Sequence, residues 1–166
     1  MFLGGCMVRT RILLFAVVAC LMAVTVSAQQ KSSIQGVWRM VSQKWDGKEG
    51  VTPSATQMKY ITAKHFAYIH QDKAKTTAVL AKKIQGDPIK AYQDAFSAGA
   101  GTYRLAGNTY TETIEQNPDP AYIGMSISFT VKVEGNRFYQ SGKFPIFENG
   151  KKANDFLLEE VYERVE

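Results

Sequence analysis

Apolar and polar residues alternate with a period of two along most of the chain after Gly36, the mark of strands with one packed and one solvated face. Val37 to Trp45 alternates, setting Trp38 and Met40 on one face and Val37, Val41 and Trp45 on the other, and Asp46-Gly47 follows as a turn. Thr56 to Ile61 and His65 to Gln71 read as a hairpin across Thr62-Ala63-Lys64. Met58 and Tyr60 share one face of its first arm, and Phe66, Tyr68 and His70 share one face of its second. Thr76 to Lys83 is a weaker strand segment. Thr102 to Leu105 and Thr109 to Gln116 flank the turn Ala106-Gly107-Asn108. Met125 to Glu134 alternates most sharply, with Met125, Ile127, Phe129, Val131 and Val133 on one side. Gly135-Asn136 turns this segment into Arg137 to Lys143, and Phe156 to Val165 supplies the last strand.

The period changes once. After Asp87-Pro88, a residue suited to capping and one suited to a first turn, Ile89, Tyr92 and Phe96 fall at helical spacing, which predicts a helix from Ile89 to Ser97 ended by Gly99 and Gly101. Asn117-Pro118-Asp119-Pro120 is a loop that no ladder absorbs. The predicted fold is all-β: a single antiparallel barrel of eight or nine strands with one short helix. Closing the sheet on itself removes its exposed edges.

Residues ahead of this pattern have another character. Arg9 and Arg11 precede the uncharged run Ile12 to Val26, and Val26-Ser27-Ala28 is a small-residue site. That order predicts a secretory signal peptide over residues 1–28, cut after Ala28, with a barrel domain over 29–166. The run falls short of the ~20 apolar residues needed to span a bilayer, so no membrane span is expected after cleavage. The expected location is periplasmic or secreted. The alternative is a lipoprotein anchored through Cys20, because Val17-Val18-Ala19-Cys20 resembles a lipobox.

Cleavage changes the chemistry available. Both cysteines, Cys6 and Cys20, leave with the signal, and the barrel keeps no thiol for a disulfide, a nucleophile or a metal. The net charge of +5 falls by the two arginines lost, with no basic block, so no nucleic-acid partner is expected. His65 and His70, the only histidines, point to opposite faces of one strand and cannot share a metal ion locally. No Gly-rich phosphate loop and no Gly-x-Ser-x-Gly elbow occurs, so no cofactor and no serine nucleophile is predicted.

Two end segments add a family likeness. Gly36-Val37-Trp38 opens the first strand, and Glu160-Val161-Tyr162-Glu163-Arg164 lies in the last. Together they resemble the calycin superfamily, in particular the exported lipocalin-like domains of bacteria. The resemblance implies a barrel closed at one end by Trp38, with Arg164 packed across its ring, and one small ligand inside. The last strand is also similar to that of fatty-acid-binding proteins, in which an Arg-x-Tyr pair grips a carboxylate. Here the tyrosine is matched by Tyr162, but Glu160 stands where the arginine would, and a carboxylate repels a fatty-acid headgroup.

Candidate site residues follow from the strand faces. Tyr110, Glu112 and Ile114 share one face, and so do Phe156, Leu158, Glu160 and Tyr162. If those faces point inward, Glu112 and Glu160 need partners, for which Arg104 and Arg137 are candidates. Tyr60, Tyr68, Tyr103, Tyr110, Tyr139 and Tyr162 either line a cavity or fill the core. The expected ligand-binding set is Tyr60, Tyr68, Tyr110, Glu112, Tyr139, Glu160 and Tyr162, and the expected partner is a small hydrophobic or amphipathic molecule. Two other function classes stand beside this one. The first is an interaction or inhibitor module with a filled barrel, using the Asp119-Pro120 loop and Phe144 to Phe147. The second is a barrel enzyme using Glu112 and Glu160.

Overall fold

Of nine antiparallel strands, all but the second neighbour one another in sequence order, and β1 (Gly36–Trp45) returns to pair with β9 (Lys151–Arg164). The computed structural model describes residues 33–50, 52–82, 86–93, 95–148 and 150–166. The expected signal peptide, its cleavage site and Cys20 lie outside the described residues.

Eight strands close the barrel: β1, β3 (Ala55–Ile61), β4 (His65–Asp72), β5 (Phe96–Ala106), β6 (Thr109–Gln116), β7 (Ser126–Glu134), β8 (Arg137–Glu148) and β9. The two-residue β2 (Lys48–Glu49) folds back on the end of β1. The expected all-β barrel is therefore the architecture found. Among the described residues, no helix is long and apolar enough to cross a membrane.

The helical segment differs from expectation. Thr76 to Lys83 is not a strand; most of it lies in helix α1 (Lys73–Leu80). Asp72 ends β4 and caps this helix, its carboxylate accepting from the Lys75 amide at 3.1 Å and from the Ser54 hydroxyl at 2.7 Å. Asp87 does open the second helix, α2 (Pro88–Gln93), but that helix is short and Phe96 already begins β5. Gly99 and Gly101 are thus strand residues. They are needed for space: a Cβ on Gly99 would lie 2.5 Å from the Tyr68 ring, and one on Gly101 would collide with the Thr113 carbonyl.

One end of the barrel is packed solid around Trp38. Its indole donates to the Ile34 carbonyl at 2.8 Å and packs on Phe138 with ring centroids 5.4 Å apart. Trp38 and Arg164 are register partners, and the guanidinium carbon lies 4.0 Å from the indole centroid. Arg164 also donates to the Gln35 carbonyl at 2.8 Å and the Ser33 carbonyl at 2.7 Å, tying the residues just before β1 to the last strand.

Closure between β1 and β9 contains a bulge at Val41, between Met40 and Ser42. A bulge inserts one residue and reverses the facing of everything after it. Trp38 and Met40 point inward before it, and Gln43 and Trp45 point inward after it. Strict alternation had set Trp45 on the opposite face from Trp38; the bulge turns it in.

Candidate functional site

β3 has its polar side inside. Gln57 and Lys59 are buried, while Met58 and Tyr60 face outward, with Tyr60 38% exposed. On β8 one polar residue joins an apolar inner face: Phe138 and Gln140 point in and Tyr139 points out. On β6 the buried residues are Tyr110, Glu112 and Ile114, and on β9 they are Leu158, Glu160 and Tyr162. With Gln43 of β1, five strands from around the barrel therefore send polar side chains to one level of its interior.

These side chains form one network. The Lys59 ammonium lies 2.6 Å from Glu112 Oε1 and donates to Gln140 Oε1 at 2.7 Å. Gln140 in turn donates from Nε2 to Glu160 Oε2 at 2.6 Å. Glu160 also accepts from Gln43 at 2.8 Å, from Gln57 at 3.2 Å and from the Tyr162 hydroxyl at 2.8 Å. Its two oxygens thus receive two donors each, the full complement of an ionised carboxylate. Four aromatic rings surround the ammonium of Lys59, with centroids from 5.4 Å (Tyr110) to 5.9 Å (Phe66). Such contacts are each worth ~0.5–2 kcal/mol and offset part of the cost of drying the cation.

Above this layer, toward the end that carries the helices, the barrel is hollow. A cavity of about 220 Å³ has Lys59, Glu112, Gln140, Glu160 and Tyr162 on its floor. Its walls are Trp45, Phe129, Phe144 and Leu158, and Tyr68, His70 and Ser97 border it on β4 and β5. Trp45 is fixed by an edge contact with Phe144 at 5.7 Å and by its indole N–H, which donates to Gln43 Oε1 at 3.0 Å. A polar floor with aromatic walls is the usual composition of a small-molecule site.

Burial governs titration here. It pushes the Tyr162 hydroxyl well above its ordinary value, and the neighbouring Glu160 charge adds to the effect. Tyr68 and Tyr110 are raised chiefly by burial as well. The Tyr110 hydroxyl completes no hydrogen bond among the described residues, although the charge of Glu112 reaches it. His70 is lowered, because burial disfavours the imidazolium more than the charges of Glu160 and Asp72 favour it. The Asp72 carboxylate, held by Ser54, the Lys75 amide and Thr52, is drawn down to about 2.

Of the expected site residues, Tyr68, Glu112, Glu160 and Tyr162 border the cavity. Tyr110 is buried beneath it, packed on Tyr103 and Phe138. Tyr60 and Tyr139 are corrections: both lie on the outer face, and Tyr139 packs under the Lys132 ammonium at 5.8 Å. Tyr103 lies at the packed end, donating to the Thr62 carbonyl at 2.8 Å. Arg104 and Arg137 are exposed and partner neither interior carboxylate. Lys59 and the three glutamines were missed, since long polar side chains ordinarily mark the solvated face of a strand. The sequence held one clue to them: Met58 and Tyr60 share a face, so Gln57 and Lys59 share the other.

Compared with known proteins, the chain matches no family model and no curated sequence. Among the described residues, no group of three or more His, Cys, Asp or Glu side chains is arranged to hold a metal ion.

Proposed function

We propose that this protein is an exported, calycin-like barrel that holds one small, partly apolar molecule in the cavity between Trp45 and the Glu160 network. One observation carries the reading: β3 turns its polar side inward and β8 adds one inward glutamine, so that Gln57, Lys59 and Gln140 are all buried. Burying such groups costs free energy even when they are paired. Met58 on the same strand would fill the space without that cost. A polar layer built under a hollow is explained by a molecule that needs it.

Binding is favoured over acid–base catalysis by the state of the two carboxylates. Glu160 already accepts four hydrogen bonds, and Glu112 is engaged by Lys59, so neither is poised to pass a proton. An interaction module is the second reading. It draws support from an aromatic groove beside the mouth, formed by Phe96, Tyr122, Phe144 and Phe147. Native mass spectrometry of the protein purified from its own cell envelope separates the two. A retained small molecule is expected, and a clean apo mass would favour the interaction module instead.

A further inference from the structure

We infer that the molecule held in this cavity is cationic: a compact organic ammonium with a flat apolar body. The inference rests on the binding reading above and adds a charge to it. Lys59 is 2% exposed, Glu112 5% and Glu160 4%, so one ammonium and two carboxylates are enclosed together at the cavity floor. The floor thus sets two carboxyl groups against a single ammonium.

Among the described residues on the cavity wall, no second ammonium or guanidinium balances them. Lys59 is committed to Glu112 and Gln140, and it reaches Glu160 only through the Gln140 amide. The four donors on Glu160 are neutral; they satisfy its lone pairs without removing its charge. His70 is the other basic group on the wall among the described residues, and burial disfavours its charged form. Asp72 and Lys75, the other charges felt by His70, belong to the cap and first turn of α1 and do not line the cavity.

The walls suit a cation as well. Trp45, Phe129 and Phe144 offer π systems, whose faces attract an ammonium once water is excluded. An anionic ligand would meet two carboxylates and an ammonium that is already engaged. A metal ion fits poorly, because no group of three or more ligating His, Cys, Asp or Glu side chains occurs among the described residues. The volume of about 220 Å³ equals roughly seven waters of liquid, room for a single ring and a short aminoalkyl arm.

Three probes of matched shape test the charge: 2-phenylethylamine, 2-phenylethanol and phenylacetate, titrated calorimetrically into the purified protein at pH 7 and low salt. The amine is expected to bind about tenfold or more tighter than either of the others, the scale of one buried charge interaction. In Glu160→Gln the preference of amine over alcohol should collapse to within about threefold. If that variant does not fold, the wild-type ratio decides alone. Alcohol or acid binding as tightly as the amine overturns the charge and leaves the container reading standing. Failure of all three to bind overturns both.

Discussion

Lys59→Met is the substitution that weighs the interior network most directly. The ammonium is 2.6 Å from Glu112 Oε1, and at an effective dielectric constant of about 20 the attraction at that separation is about 6 kcal/mol. Drying the two ions costs several kcal/mol each, so the pair as a whole contributes little to stability. Removing one member is a different matter. Lys59→Met leaves Glu112 buried without a counter-ion beside an equally buried Glu160, and the expected loss is ~3–5 kcal/mol, a large share of a single domain's stability. Glu112→Leu should cost a similar amount, because it strands the ammonium. The double variant Lys59→Met/Glu112→Leu should lose less than either single one, since neither charge is then left alone. Urea denaturation at pH 7 of the wild type, the two single variants and the double variant closes the cycle. Single losses below about 1 kcal/mol, or a double loss equal to the sum of the singles, would refute the claim that the pair is buried and coupled.

Trp38→Ala removes a fully buried ring that holds Phe138, Arg164 and the Ile34 carbonyl, and should cost ~3–5 kcal/mol by chemical denaturation. A loss below about 1 kcal/mol would contradict its place in the packed end. The Asp72 carboxylate titrates at about 2 when folded, below the ~3.9 of an unfolded chain, so its contribution is present above pH ~4 and is lost as pH falls toward 2. Acid titration should accordingly show a shallower decline for Asp72→Asn than for the wild type over that range, and parallel curves would count against the cap. Export should leave Gln29 as the first residue in an intact-mass measurement; a mass beginning at Cys20 with acyl chains attached would make the protein a tethered lipoprotein instead.

Period-two alternation by itself determined most of the strands, the hairpins and the sets of side chains that share a face, but it took Thr76 to Lys83 for a strand and missed the first half of β5. Tyr110 with Glu112, and Leu158 with Glu160 and Tyr162, were legible as sets because a strand has only two faces. Trp38 and Arg164 were legible as a pair only through the family likeness of the chain ends. Alternation does not say which face is inside, and apolarity is the usual guide to that. On β3 the guide points the wrong way, because Gln57 is satisfied by Glu160 and Lys59 by Gln140 across the barrel while Tyr60 stays outside. Partners separated by 81 and 103 residues leave no local trace. The bulge at Val41 is equally silent in sequence, although it decides that Gln43 and Trp45 face the cavity. Local order set the strands; closure of the barrel chose their inner faces and so made the site.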